Sequence, residues 1–161
     1  MADLNNLLSP FFLNDKEVRK VIELLFFSYR DFTSGPDKVL EKLNFGRAHH
    51  RAIYFVGKKN NITIKELLGV LQITKQSLSR VLNQLVNDNF IILSIGLDKR
   101  TKTLSLTEKG KKLEKELSAI QIKNIRKVIN NFSEENINGF KKILFDMIEA
   151  DNKKIFQQIN D

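Results

Sequence analysis

The chain has 161 residues, 42% of them hydrophobic, no cysteine and a formal charge of +8, which suits one domain or one small domain with helical extensions. The lack of cysteine excludes disulfides, thiolate metal sites and thiol redox sensing, and no apolar run approaches the ~20 residues that a transmembrane helix needs. Met1 to Asn14 holds the acidic Asp3 and no basic residue, which argues against a signal peptide and for a cytoplasmic protein.

Helix starts are legible along the sequence. Asn14-Asp15-Lys16-Glu17 has capping-box spacing, with Leu13 and Val18 placed as a hydrophobic staple. The helix that follows, to about Phe32, carries Val18, Val21, Ile22, Leu25, Phe26 and Tyr29 on one face, and Ser34-Gly35-Pro36 is expected to break it. A second helix spans Gly46 to Lys58, and Lys59-Asn60-Asn61 forms a turn. Thr63-Ile64-Lys65-Glu66 is another capping box, with Ile62 and Leu67 as staple, and Ile64, Leu67, Leu68 and Leu71 form an apolar stripe. Thr74 caps the next helix, whose inner face is Leu78, Val81, Leu82 and Leu85, and Asn89 is placed as a left-handed stop. Phe90 to Ile95 and Thr103 to Leu106 read as strands joined by the basic loop Gly96 to Lys102. Thr107 caps a long helix to about Asn130, and Ser133-Glu134-Glu135 opens a last helix running nearly to the C-terminus.

Two short capped helices joined by about three residues, followed by a charged hairpin, predict a helix-turn-helix with a wing. The face of the second helix opposite its apolar stripe presents Gln76, Ser79, Arg80 and Asn83, with no acid between Thr74 and Asn87. Arg bonds bidentately to guanine, and Gln or Asn to adenine, in the major groove. Thr74, Lys75, Ser77 and the helix N-terminus are candidates for the DNA backbone at the start of the same helix. In the loop, Lys99, Arg100 and Lys102 suit phosphate or the narrow minor groove, while Asp98 is expected to brace the tip by pairing with Arg100 or Arg80. A Lys-, Asn-, Ile- and Phe-rich composition accounts for part of the basicity. Placement carries more: Lys75 to Lys112 holds eight basic residues against three acidic ones, which favours a polyanionic partner.

These residues resemble the MarR (multiple antibiotic resistance regulator) family of winged-helix repressors over about Gly46 to Leu117. The resemblance rests on Ile64 to Leu71, Ile73 to Arg80, the wing Asp98-Lys99-Arg100 and the run Leu106-Thr107-Glu108-Lys109-Gly110. Gly46-Arg47-Ala48-His49-His50-Arg51 further resembles the PetP-type branch of that family. Three positions depart from the pattern: Leu68 where a small residue is usual, Gln72 where the turn often has Gly, and Asn89 where Gly is common. The resemblance implies a mainly α fold with a small β-hairpin wing, as one domain over 1–161. Within it, a winged helix-turn-helix core over 45–112 binds DNA, and helical regions over 10–34 and 113–161 form a homodimer. The apolar faces support dimerisation independently: the last helix alone offers Ile137, Phe140, Leu144, Met147, Ile148, Ile155 and Phe156, more than one winged-helix core can cover. Two copies then read a pseudo-palindrome with half-sites about ten base pairs apart.

The resemblance also implies release from DNA by a small aromatic ligand between the dimer and DNA-binding regions, where Phe26, Tyr29, His49, His50, Arg51 and Tyr54 are candidates. The same aromatics at helical spacing also read as core. His49 and His50 are adjacent on a helix, about 100° apart, and so are poorly placed to share a metal; capping or packing is expected of them, with no metal and no cofactor. Enzymatic chemistry fits poorly, without a cysteine nucleophile, a phosphate-cradling Gly-rich loop or a carboxylate pair with a partner base. The alternatives are a sequence-tolerant architectural DNA-binding protein and a protein-binding winged helix.

Overall fold

A computed structural model describes residues 14–96 and 100–160. The chain divides into two compact units, one up to Ser34 and one from Gly35 onward. Among the described residues there are seven helices and three strands: α1 (Asp15–Glu41), α2 (Arg47–Lys58), β1 (Ile62–Thr63), α3 (Ile64–Leu71), α4 (Lys75–Asn87), β2 (Ile91–Ile95), β3 (Lys102–Leu106), α5 (Glu108–Ile129), α6 (Glu134–Asp146) and α7 (Ala150–Asn160). The mainly helical fold with a small hairpin wing is the one expected. None of these helices is long and apolar enough to cross a membrane.

Local chemistry sets most helix ends. The Asn14 side chain accepts the Glu17 N–H (3.1 Å) at the start of α1, and the Thr74, Thr107 and Ser133 side chains do the same for Ser77, Gly110 and Asn136. At α3 the box closes in both directions: Thr63 Oγ1 accepts the Glu66 N–H at 3.1 Å, and Glu66 Oε2 accepts the Thr63 N–H at 2.8 Å. A hydrogen bond from the Lys59 ammonium, then those from the Thr63 N–H and hydroxyl, hold the Glu66 carboxyl down at about 2. α4 ends in a Schellman motif: Phe90 N–H reaches Leu85 O (2.8 Å), Asn89 N–H reaches Val86 O (3.0 Å), and Asn89 takes φ 60°.

Three expectations are corrected. Ser34-Gly35-Pro36 does not break α1, which continues to Glu41. A proline in a helix interior costs about 3 kcal/mol, because it removes one N–H and crowds the preceding turn. Here Pro36 and Leu40 are fully buried, and burying a side chain of Leu size returns about 1.5–3 kcal/mol. Gly35 is needed for the packing itself, since a Cβ there would lie 2.7 Å from Ile120 Cγ2 of α5. The last helix is two helices, interrupted at Met147–Glu149. No proline or glycine marks that break. Across it, Phe156 lies edge-on to Phe145 at 6.0 Å and the Lys153 ammonium sits 4.9 Å from the Phe145 ring. Finally, the hairpin gains a third strand: Ile62 pairs with Leu104 and Thr63 with Thr103, giving the antiparallel order β1-β3-β2.

The core of the second unit lies where α2, α3, α4 and α5 meet the sheet. Leu67 and Leu71 of α3 and Leu78, Val81, Leu82 and Leu85 of α4 are buried against Ile53, Val56, Ile62 and Leu104. The period of 3.6 residues read from the sequence therefore holds throughout the helix-turn-helix. The register of β2 on β3 runs from Ile91↔Leu106 to Ile95↔Lys102.

Candidate nucleic-acid interface

Burial of one face of α4 leaves the other in water. Thr74, Lys75, Gln76, Ser77, Ser79, Arg80 and Asn83 are all exposed. Two of them serve the helix start: the Thr74 hydroxyl accepts the Ser77 N–H (3.1 Å) and donates to Ser77 Oγ (2.9 Å). Gln76, Ser79, Arg80 and Asn83 form no side-chain hydrogen bond or ion pair among the described residues, so their donors and acceptors face solvent in one acid-free patch. The α4 N-terminus adds outward N–H groups and the positive end of the helix dipole, with Lys75 beside it.

Contacts that the sequence reading missed fix the far end of α4. The Lys109 ammonium donates to Asp88 O (2.8 Å) at the C-terminal end of the helix and sits 4.2 Å from the Phe90 ring centre. A cation there complements the helix dipole and caps a carbonyl. Phe90 O accepts the Thr107 N–H (3.1 Å), and the Thr107 hydroxyl donates to Asn89 O (2.7 Å). A Cβ on Gly110 would overlap Phe90 O. The run Leu106-Thr107-Glu108-Lys109-Gly110 is thus a joint between α4, β3 and α5. On the other side, Gln84 of α4 meets His49 of α2, with 2.9 Å between Oε1 and Nε2.

In the wing, the Gly96 N–H donates to Thr101 O (2.7 Å) below the tip, and Arg100 and Lys102 are exposed. Asp98 and Lys99 lie outside the described residues, and with them the expected pairing of Asp98 with Arg100 or Arg80. The ligand candidates fall in both units. Phe26 and Tyr29 lie on the first, exposed, with Phe26 edge-on to Phe27 at 5.4 Å. In the second, both ring nitrogens of His49 are already engaged, by Gly46 N–H and Gln84. Burial lowers the His50 pKa, against the opposing pull of Asp37 and Glu114, and Arg51 is exposed. Tyr54 lines a groove of about 840 Å³ between α2 and α5, with Gly57 and Lys58 on one wall and Glu114, Ser118, Ala119 and Ile122 on the other. Lys115, Lys123, Arg126 and Lys127 bring its cations to five, against the single carboxylate of Glu114. Among the described residues no group of three or more His, Cys, Asp or Glu side chains is arranged to hold a metal.

The MarR family model matches residues 43–101, the span from the turn before α2 to the wing. The HTH-type transcriptional regulator PetP of Rhodobacter capsulatus is 41% identical over 151 residues, 93% of this chain and 91% of its own length. The chain belongs to the MarR family. Solved structures agree in fold: FabT of Streptococcus pneumoniae in complex with DNA superposes with a TM-score of 0.72 at 21% identity, covering 81% of this chain and 94% of FabT. A MarR protein from Peptoclostridium difficile gives 0.71 at 17% identity, covering 92% and 98%. Membership makes the chain a DNA-binding transcriptional regulator rather than an enzyme.

Two of its departures from the family pattern have a visible consequence. Gln72, in the turn between α3 and α4, takes φ 52°, and Asn89 takes φ 60°. Asn tolerates the left-handed region by local hydrogen bonding, but Gln carries the full steric penalty of its Cβ. Gln72 offsets part of it by donating to Gly69 O (3.2 Å) and to Asn152 Oδ1 of α7 (3.3 Å). Leu68 is partly buried and packs at the edge of the core.

Proposed function

We propose that this MarR-family regulator is a cytoplasmic homodimeric repressor that binds a pseudo-palindromic operator in double-stranded DNA, with α4 as the recognition helix in the major groove. Gln76, Ser79, Arg80 and Asn83 read bases, Thr74, Lys75 and Ser77 hold backbone, and the wing with Asp98, Lys99, Arg100 and Lys102 follows the flanking groove. The observation that carries this reading is the acid-free polar face of α4, whose four base-reading candidates have no partner among the described residues. The FabT structure that shares this fold holds DNA. Residues 45–112 form the DNA-binding region, and 10–34 with 113–161 the dimerisation region. Exposed Ile22, Leu24, Phe26 and Phe27 on α1, Phe140, Ile143 and Leu144 on α6, and Met147 at the C-cap of α6 support the latter, since exposed apolar patches mark association surfaces. A small aromatic ligand releases the DNA. The groove beside Tyr54, with its apolar floor and five cations, favours an aromatic anion.

The test is selection of binding sites from random duplexes, followed by titration of wild type and Arg80→Ala at physiological salt. The wild type is expected to prefer its selected palindrome over random DNA by ~10³ or more, and Arg80→Ala to lose about 1–3 kcal/mol of that preference. Unchanged affinity and preference in Arg80→Ala refute the assignment of α4. A wild type without preference but with a steep salt dependence is instead the architectural binder.

A further inference from the structure

Within the run Gly46 to Arg51, Ala48 packs against the core, whereas His49 ties α2 to α4. Gly46 is the N-cap of α2, and its N–H donates to His49 Nδ1 at 3.1 Å. A ring nitrogen that accepts leaves the proton on Nε2, and Nε2 lies 2.9 Å from Gln84 Oε1. The Gln84 amide then donates from Nε2 to Asn44 O at 3.3 Å, on a turn that Asn44 closes with φ 54°. The imidazole lies flat on Phe45, 4.7 Å away with 4° between planes. Phe45 in turn meets Phe90 edge-on at 5.2 Å, next to the Schellman end of α4. A chain of directional contacts therefore runs from the α2 cap into the recognition helix.

We infer that His49 is a positioning residue for DNA recognition, acting through Gln84 to hold α4 at one rotation about its axis; this rests on the reading of α4 as the recognition helix. The apolar knobs Leu78, Val81, Leu82 and Leu85 keep that helix buried, but apolar burial is non-directional and tolerates small rotations. Hydrogen bonds do not, because they weaken steeply with angle. Gln84 stands one turn beyond Arg80 and about 40° round the helix from it. A rotation that redirects Arg80 and Asn83 must break the His49–Gln84 bond, so that bond sets the angle at which the reading face meets the base edges.

The side-chain geometry of the amides supplies the test. The terminal atoms of Asn fall near the Nδ1 position of histidine, and those of Gln near Nε2. His49→Asn therefore keeps the Gly46 cap and loses Gln84, whereas His49→Gln keeps the reach to Gln84. Against a duplex selected from random DNA by the wild type, His49→Asn is expected to lose about tenfold in affinity, with cooperative unfolding retained and unchanged affinity for random duplex. His49→Gln is expected to recover most of that loss. Gln84→Met is expected to lose about as much as His49→Asn, and the double variant no more than either. Wild-type affinity in His49→Asn, rescue by neither amide, or full additivity in the double variant overturns the inference. Arg80→Ala run alongside separates the two readings: its indifference removes α4 as the recognition helix, and its loss with His49→Asn unaffected removes this inference alone.

Discussion

The joint between α4, β3 and α5 has no room for one methyl group. A Cβ on Gly110 would overlap Phe90 O and lie 3.1 Å from its carbonyl carbon and 3.3 Å from Leu106 Cδ2. Gly110 must therefore retreat with its helix, or the Phe90 carbonyl must move. That carbonyl accepts the Thr107 N–H (3.1 Å), and the Gly110 N–H itself donates to Thr107 Oγ1 (3.0 Å). Overpacking of this kind costs about 1–3 kcal/mol, and a buried carbonyl left without its partner about 1–3 kcal/mol more. Gly110→Ala is expected to lose about 3–4 kcal/mol, a large share of the about 5–15 kcal/mol that holds such a domain. With a urea slope near 2 kcal/mol/M, the unfolding midpoint falls by about 1.5–2 M at fixed protein concentration. Gly69→Ala on α3 is the control, since nothing lies within 4 Å of its new Cβ; it is expected to gain about 0.5–1 kcal/mol. A Gly110→Ala midpoint within the error of wild type refutes the argument that backbone approach dictates this glycine.

Glu66→Gln is expected to cost about 1 kcal/mol at pH 7, held to that size because Glu66 and Lys59 are both over a third exposed. The Glu66 carboxyl titrates at about 2 in the fold instead of 4.5, so its contribution is complete above pH 4.5 and is lost as pH falls towards 2. Urea midpoints of the two proteins should converge over that window, and a constant gap down to pH 2.5 contradicts it. Gln72→Gly removes the Cβ penalty at φ 52° but also two exposed hydrogen bonds of 3.2 and 3.3 Å. The net expectation is a gain of about 0.5–1 kcal/mol and a higher Tm, while a lower Tm assigns greater weight to the Asn152 contact. Ile143→Glu on α6 with Met147→Glu at its C-cap, both exposed, is expected to give monomers in sedimentation at micromolar concentration. Persistence of the dimer moves the interface away from α6.

Most of the helix-turn-helix was legible because local chemistry decides it. Thr63, Thr74 and Thr107 cap where hydroxyl spacing predicts, the α4 stripe is buried at the positions that the 3.6-residue period marks, and the α3 stripe is buried at Leu67 and Leu71 and partly buried at Ile64 and Leu68. What escaped the reading depends on residues far apart in sequence. The continuity of α1 through Pro36 depends on Gly35 meeting Ile120, about 85 residues away. The two-residue strand β1 exists only because Leu104 is there to pair with Ile62. The break before α7 is accompanied by contacts of Phe145 with Phe156 and of Gln72 with Asn152. The exposed face of α4 followed from subtracting the buried one, but its supports, Lys109 and the His49–Gln84 pair, carry no local signature.

Charge shows the same division between what spacing reveals and what packing assigns. Eight basic residues between Lys75 and Lys112 favour a polyanionic partner. Lys109 is instead committed to the end of α4, with its ammonium on Asp88 O and over the Phe90 ring, and Lys111 is bridged to Glu108 at 2.7 Å. Among the described residues, Lys75 and Arg80 are exposed on α4, and Arg100 and Lys102 are exposed on the wing. A count of positive charge therefore overstates the number of phosphates this surface can neutralise. The number that matters is the slope of log affinity against log salt, about 0.9 per phosphate neutralised on duplex DNA. Lys109 acts one step back: a cation at a helix C-terminus strengthens the helix that we propose meets DNA.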